Sequence, residues 1–367
     1  MTSASLPAAL GDGIDRLIRD TLAPQVEAID QGRFPADFMH ALGRLGGFAA
    51  ALPGSSGGLD LDLPAQIDII ARVARTCGST AFLGWCQATC AWYLQHSQNA
   101  AAKVRYLEPV ARGALLAGTG MSNAVKHLAG IERINLRGRR DGAGYLINGA
   151  LPWVSNLGPD HLVIVAAALD EGGYVMFVIP PGAEGLTLRP CPTFSGMEGS
   201  GTYGVRLKDL HVPAEDVLAH PEQFDHYVSQ FKPGFLLMQI GMGAGLVQAS
   251  LDTIHAANQR LQHVNCYLDD QEDDLAGDLQ SLLDDTYALA RQGRSAPLLG
   301  VLRARARGSE LSLRATQSAA LHAGAAGYLM SSPAQRRLRE ALFVAIVTPA
   351  LKHLRKEIHA LEQRQAA

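Results

Sequence analysis

A mainly helical α+β fold is what the order of hydrophobic periods along these 367 residues predicts. Three observations carry that expectation. Up to about Arg112 apolar residues recur at three-to-four spacing; from about Ala114 the period turns to alternation; beyond about Pro221 long three-to-four patterns return. The divisions expected are an N-terminal helical domain over residues 1–112, a small all-β unit over 113–220 and a C-terminal helical block over 221–367.

In the first block Ile14, Leu17, Ile18 and Leu22 share one helical face, as do Phe38, Leu42, Leu45 and Phe48. Residues 67–74 and 81–94 are apolar on more than one face, which places them inside a bundle. Between these helices Pro53-Gly-Ser-Ser-Gly-Gly58 reads as a loop. In the middle block residues 161–169 and 174–179 read as strands joined by the turn Asp170-Glu-Gly-Gly173, and 202–212 alternates until Pro213 stops it. In the last block four amphipathic segments, 231–261, 275–291, 296–323 and 333–361, make a four-helix bundle.

Composition narrows the function classes. With Lys+Arg 32 against Asp+Glu 35 the net charge is −3, so neither a nucleic-acid footprint nor a polybasic membrane patch is expected. The N-terminus, Met1-Thr-Ser-Ala-Ser-Leu-Pro7, lacks a basic region followed by an apolar one, and no apolar run approaches a spanning length, so a cytoplasmic protein is expected. Five cysteines without repeating spacing argue against a disulfide framework. Cys86 and Cys90 stand one helical turn apart with no further ligand nearby and read as buried apolar thiols, so no metal is expected. The run Asp269-Asp-Gln-Glu-Asp-Asp274 lacks the spaced ligands of a calcium loop and reads as a solvated face.

The segment Tyr145-Leu-Ile-Asn-Gly-Ala-Leu-Pro-Trp-Val-Ser-Asn156 is the most informative. Asn148-Gly149 is a hairpin signal, because both central positions of a two-residue turn need φ > 0. In the extended residues after it, Trp153 and Ser155 share a face while Val154 points into the sheet. A flat apolar wall beside a hydroxyl is what a flavin ring requires of a protein. Standing alone, the segment is better read as a buried Trp and a strand-edge Ser with no ligand.

This segment resembles the Leu-Asn-Gly-x-Lys-x-Trp-Ile-Thr-Asn stretch of the acyl-CoA dehydrogenase family, with Leu151 where Lys is usual and Ser155 where Thr is usual. Further landmarks of that family follow in order: Phe34-Pro35, Gly46-Gly47-Phe48, Leu52-Pro53 and Tyr106-Leu107 early, Val205 to Leu218 with its Val-Pro-Ala-Glu, then Gly324-Ala-Ala-Gly-Tyr328 with Pro333, Arg336 and Arg339. The resemblance implies helices, a small β-barrel and a four-helix bundle, with FAD between barrel and bundle, often completed by a neighbouring subunit. It implies Trp153, Ser155, Thr119, Ser122, Gly324, Ala325 and Arg260 as cofactor contacts, although Arg260 lacks the Phe-Gly that usually follows it. A homodimer or homotetramer is expected.

The reaction implied is α,β-desaturation of an acyl-CoA thioester by a carboxylate base and FAD, with electrons leaving to an electron-transfer flavoprotein. The base is the departure. Thr348 occupies the usual Glu position and Phe235 the alternative one, and a neutral hydroxyl is a poor base. Glu198 is a weak candidate, read more readily as a surface-loop carboxylate, while His322 and His353 read as satisfied structural histidines. Two alternatives therefore stand: the oxygenase component of a flavin-dependent monooxygenase fed by a flavin reductase, or a non-catalytic relative.

Overall fold

The structure, a computed structural model, describes residues 6–366; residues 1–5, on which the reading of the N-terminus partly falls, lie outside them. Asp62 opens the first long helix. Its side chain accepts the Ala65 N–H at 3.0 Å, Pro64 sits in the first turn where its missing N–H costs nothing, and the helix Leu63–Thr76 runs until Cys77 turns extended. The next helix, Gly78–His96, buries every residue except Trp92, Gln95 and His96, as its all-round apolar pattern demands. The shorter helices Ala8–Leu17, Val26–Asp30, Ala36–Arg44, Ala100–Ala102 and Glu108–Ala111 belong to the same N-terminal block, and Pro53 to Gly58 is a loop containing a single helical turn.

The C-terminal block is built on one helix of 42 residues, Phe224–Asn265. Its glycines let other backbones touch it: a Cβ on Gly245 would lie 2.2 Å from the Ala71 carbonyl oxygen, and one on Gly243 would lie 2.8 Å from that of Gly308. This helix corrects the expectation that nothing here is long and apolar enough to span a membrane. One 18-residue window reaches a mean hydropathy of 1.4, but 94% of that window is buried against Leu63–Thr76, Gly78–His96 and Leu298–Ala323, so its apolar surface is covered by protein.

Glu272–Gln292 and Leu298–Ala323 follow as expected. The segment expected as one helix over 333–361 is instead two, Pro333–Ile346 and Leu351–Ala366, broken where Val347 turns extended and Pro349 has no N–H to continue the ladder. That break brings Thr348 to the wall of the site.

Eight strands make the middle unit: β1 (Ala117–Thr119), β2 (Arg137–Asp141), β3 (Gly144–Val154), β4 (Leu162–Leu169), β5 (Tyr174–Ile179), β6 (Leu186–Pro190), β7 (Tyr203–Val212) and β8 (Val217–Ala219). They pair in the order β6-β7-β3-β2-β4-β5-β8, with β1 parallel to β4. Side chains from both arms, Val175 and Phe177 of β5 with Val205 and Leu207 of β7, share one apolar interior.

The hairpin expected at Asn148-Gly149 is absent. The chain turns at Gly142 (φ 59°) between β2 and β3, and Asn148-Gly149 lies inside β3 as a bulge opposite β7, with Gly149 at φ 134°. Asn148 there accepts the Asp209 N–H at 2.8 Å and supports that residue's own left-handed backbone.

Buried amides fasten sheet to helices. Gln87 donates to the Val110 and Leu115 carbonyls at 2.8 and 2.9 Å and accepts from Ala117 N–H at 2.8 Å and Asn156 Nδ2 at 3.1 Å, tying Gly78–His96 to β1 and to the end of β3. Asn99 donates to the Ala214 and Val217 carbonyls, and Tyr106 donates to Asp216 at 2.7 Å, which fixes the start of β8. Each bond answers a buried polar group that would otherwise cost stability.

Candidate active site

A pocket of about 400 Å³ opens where the sheet meets the helices. Four of the residues expected around a flavin line it together: Thr119 at the end of β1, Ser122 just beyond, Trp153 near the end of β3 and Ser155 directly after it. The strand alternation sets their direction. Val154 is buried in the sheet interior, while Trp153 on the opposite face leaves 59% of its surface exposed and meets Phe194 edge-on at 5.9 Å.

The hydroxyls are organised. Ser155 Oγ and Ser200 Oγ each stand 2.7 Å from Thr202 Oγ1, forming a short chain that lines the same pocket as Trp153. Thr119 Oγ1 lies 3.3 Å from the hydroxyl of buried Tyr93. Ser122 Oγ and Thr348 Oγ1 are 2.6 Å apart, so the first turn after β1 and the break in the last bundle helices meet at the pocket.

The opposite wall is aromatic. Phe82 and Trp85 of Gly78–His96 stack at 5.8 Å, Trp85 meets Phe235 of the long helix at 5.2 Å, and Phe343 packs on Phe82 at 4.6 Å. Trp85 is held by donating Nε1–H to the Phe235 carbonyl at 3.3 Å. Both positions at which the resemblance expects a base, Thr348 and Phe235, thus line this pocket.

No carboxylate does so among the described residues; the ionisable residues lining it are Lys126 and Arg339. Each has a partner. Lys126 Nζ is 3.4 Å from Glu132, and Arg339 makes a two-pronged bond to Asp30 at 2.6 and 2.9 Å while donating to the Ser195 carbonyl. Arg339 thereby holds the loop carrying Phe194 and Ser195 against the bundle.

The remaining expected residues lie elsewhere. Glu198 is half-buried outside the lining, and its carboxylate accepts the Phe194 N–H, so it shapes the loop. Gly324 (φ 62°), Ala325 and Arg260 are all exposed and outside the pocket. They belong to a neighbouring region: Asn265, at the end of the long helix, donates to the His322 carbonyl at 3.3 Å.

His322 is buried and donates Nδ1–H to the Ser318 carbonyl at 2.9 Å, but its Nε2 has no hydrogen-bond partner among the described residues, so it is only half satisfied. His353 is less satisfied than its sequence position suggests. It is buried with Nε2 3.3 Å from Glu357 Oε1 and no hydrogen-bond partner for Nδ1 among the described residues. Although burial pushes the other way, His353 and Lys232 hold the Glu357 carboxyl below the usual carboxylate range. Cys86 and Cys90 are fully buried, and burial raises both thiols above their ordinary value.

Residues 8–114 match the family model described as "Acyl-CoA dehydrogenase, N-terminal domain". The probable acyl-CoA dehydrogenase YngJ of Bacillus subtilis (strain 168) is 27% identical over 352 residues, which cover 89% of each chain. Among solved structures, butyryl-CoA dehydrogenase from Megasphaera elsdenii superposes with a TM-score of 0.87 at 20% identity, covering 98% of this chain and 99% of that one. A glutaryl-CoA dehydrogenase from Mycobacterium smegmatis, solved in complex with FADH2, superposes at 0.84 with 16% identity over 99% and 96% of the two chains. Its N-terminal helices match that family model, and helices, sheet and helices are laid out as in these proteins from end to end, so residues 8–114 are similar to the acyl-CoA dehydrogenase N-terminal domain and the chain as a whole has the acyl-CoA dehydrogenase fold.

Proposed function

We propose that this chain is an FAD-dependent oxidoreductase acting on an acyl-CoA thioester or a related acyl compound, with the flavin ring lying in the pocket between Trp153 and the aromatic wall. One observation carries the reading: a mostly exposed indole and two separate hydroxyl sets line a single cleft that a ring of that size and polarity would fill. When bound, FAD supplies the hydride acceptor. The protein's part is positional. Trp153 would cover one face and exclude water, Ser155, fixed by Thr202, would meet the ring's polar edge, and Thr119 and Ser122 would offer hydroxyls from the β1 side.

The rest of FAD must leave the pocket, since Gly324, Ala325 and Arg260 stand outside it. A homodimer or homotetramer would supply the missing wall. Val264, Tyr267, Leu321, Tyr328, Leu329 and Met330 are all large, apolar or aromatic and exposed on the two segments that meet through Asn265 and His322. The five free cysteines suit a reducing, cytoplasmic setting.

Desaturation would pass electrons to an electron-transfer flavoprotein and would need a proton acceptor. The pocket's want of a carboxylate favours a second reading, an oxygenase component of a flavin-dependent monooxygenase served by a flavin reductase. A flavin absorption spectrum of the purified protein supports both readings. Anaerobic bleaching by an acyl-CoA panel selects the first, and turnover requiring a reductase and O₂ selects the second. A colourless protein that takes up no FAD refutes both and leaves a non-catalytic relative.

A further inference from the structure

We propose that the Thr348 end of the pocket binds an oxygen carrying negative charge, a carboxylate or an enolate oxygen of the acyl ligand, held by the Ser122–Thr348 hydroxyl pair, with Gln239 and Arg305 as positioning residues behind it. The inference deepens the flavoprotein reading and takes its ligand class from it.

The geometry is a chain of hydrogen bonds running inward. Ser122 and Thr348 are 2.6 Å apart, so one hydroxyl donates to the other and a single O–H remains for a ligand. The Thr348 carbonyl accepts from Gln239 Nε2 at 2.9 Å. Gln239 cannot flip its amide, because its Oε1 accepts from Arg305 Nε at 2.7 Å. Arg305 also donates to the Val344 carbonyl at 2.8 Å and to the Ser309 hydroxyl. Ser122 is thus joined to the protein interior through four side chains and the broken end of the helix Pro333–Ile346.

Arg305 is fully buried, every acceptor it meets is neutral, and no ion pair among the described residues includes it. A buried cation answered only by neutral carbonyls and hydroxyls projects its field outward in a low-dielectric interior. Two hydrogen bonds separate it from Thr348. Over such a span, roughly 9 Å, a unit negative charge would gain on the order of tenfold in affinity. The charged residues that line the pocket itself, Lys126 and Arg339, are also cations, and both are already partnered by carboxylates that lie outside the lining. The position at which a proton acceptor was expected therefore carries a donor backed by positive charge. Arg305 also neutralises the carbonyl end of Pro333–Ile346, a purely structural role that the test has to separate from this one.

Two of the chain's three tryptophans, Trp85 and Trp153, line the pocket, so their emission reports occupancy without any cofactor. Butanoate and butanamide share size and shape and differ in charge. Titrated into the full-length protein, butanoate is expected to bind about tenfold tighter than butanamide. Arg305→Gln, which removes the charge, and Thr348→Val, which removes the hydroxyl, both checked for native melting, are expected to bring the two within about threefold, with butanamide affinity nearly unchanged in Arg305→Gln. A 3-ketoacyl thioester distinguishes the sources: a site for the enolate lowers the pH at which its enolate absorbance appears on binding, whereas a site for carboxylates leaves it unmoved. Equal binding of both probes, no binding of either, or a butanoate preference that survives both variants would overturn the proposal. FAD uptake is scored separately by absorbance. A protein that refuses FAD but keeps the preference refutes only the flavin reading, and one that holds FAD without the preference refutes only this inference.

Discussion

Replacing Trp153 with Ala removes the wall on which the flavin reading rests. A tryptophan offers about 250 Å² for burial, and Trp153 leaves 59% of its surface exposed, so about 150 Å² is free and roughly half of that faces a ring laid on one side. At about 25 cal/mol per Å² this is close to 2 kcal/mol. Stacking adds about 0.5–1.5 kcal/mol. Trp153→Ala should therefore weaken FAD binding about 60-fold to about 300-fold, while Trp153→Phe keeps most of the affinity. Because the indole is mostly outside the core, the melting temperature of the apo-protein should move by only a few degrees. Titration of apo-protein with FAD, followed by quenching of flavin fluorescence, measures the change. A loss below threefold in the Ala variant, with both proteins folded, would refute the placement of the ring.

Gly245→Val drives a side chain into the Ala71 carbonyl, 2.2 Å from where its Cβ must lie, and should cost about 3 kcal/mol or more, read as a fall in the denaturation midpoint. Tyr106→Phe leaves buried Asp216 without its 2.7 Å donor and should cost about 1–3 kcal/mol in the same assay. Glu357 is held below the usual carboxylate range despite its burial, so its contribution is present above its unfolded pKa of about 4.3 and is lost as pH falls through the lower folded value. Melting curves should show wild type ahead of Glu357→Gln by on the order of 1 kcal/mol near pH 6, with the gap closing on acidification; a gap that widens below pH 4 would reverse the sign.

Periodicity found the parts of the fold whose burial is one-sided or complete. β4, β5 and β7 fall within a residue of their expected bounds because their apolar alternation or continuous apolar run is long. β2 was illegible for the opposite reason: Arg137-Gly-Arg-Arg-Asp141 is almost wholly exposed, and pairing with β3 rather than burial makes it a strand. Asn148-Gly149 misled because a bulge uses the same left-handed freedom as a turn. The long pattern from Pro333 hid a break, since Val347 and Leu351 keep the apolar spacing across it.

The site divides in the same way. Trp153 and Ser155 were legible from strand alternation, Thr119 and Ser122 only through the family resemblance, and the structure gathers the four in one cleft. The aromatic wall was not. Phe82, Trp85 and Phe343 sit in helices that read as core, and no local pattern separates a core face from a pocket lining. Arg305 was equally hidden, because an arginine on an amphipathic helix is expected in solvent, and only the packing of three helices shows it buried beneath Thr348.

The most direct test of the account is a crystal structure of the full-length protein grown with FAD. It should place the isoalloxazine ring on Trp153, within hydrogen-bond reach of Ser155, facing the wall of Phe235 and Thr348. A ring bound elsewhere, with protein side chains closing that cleft, would contradict it.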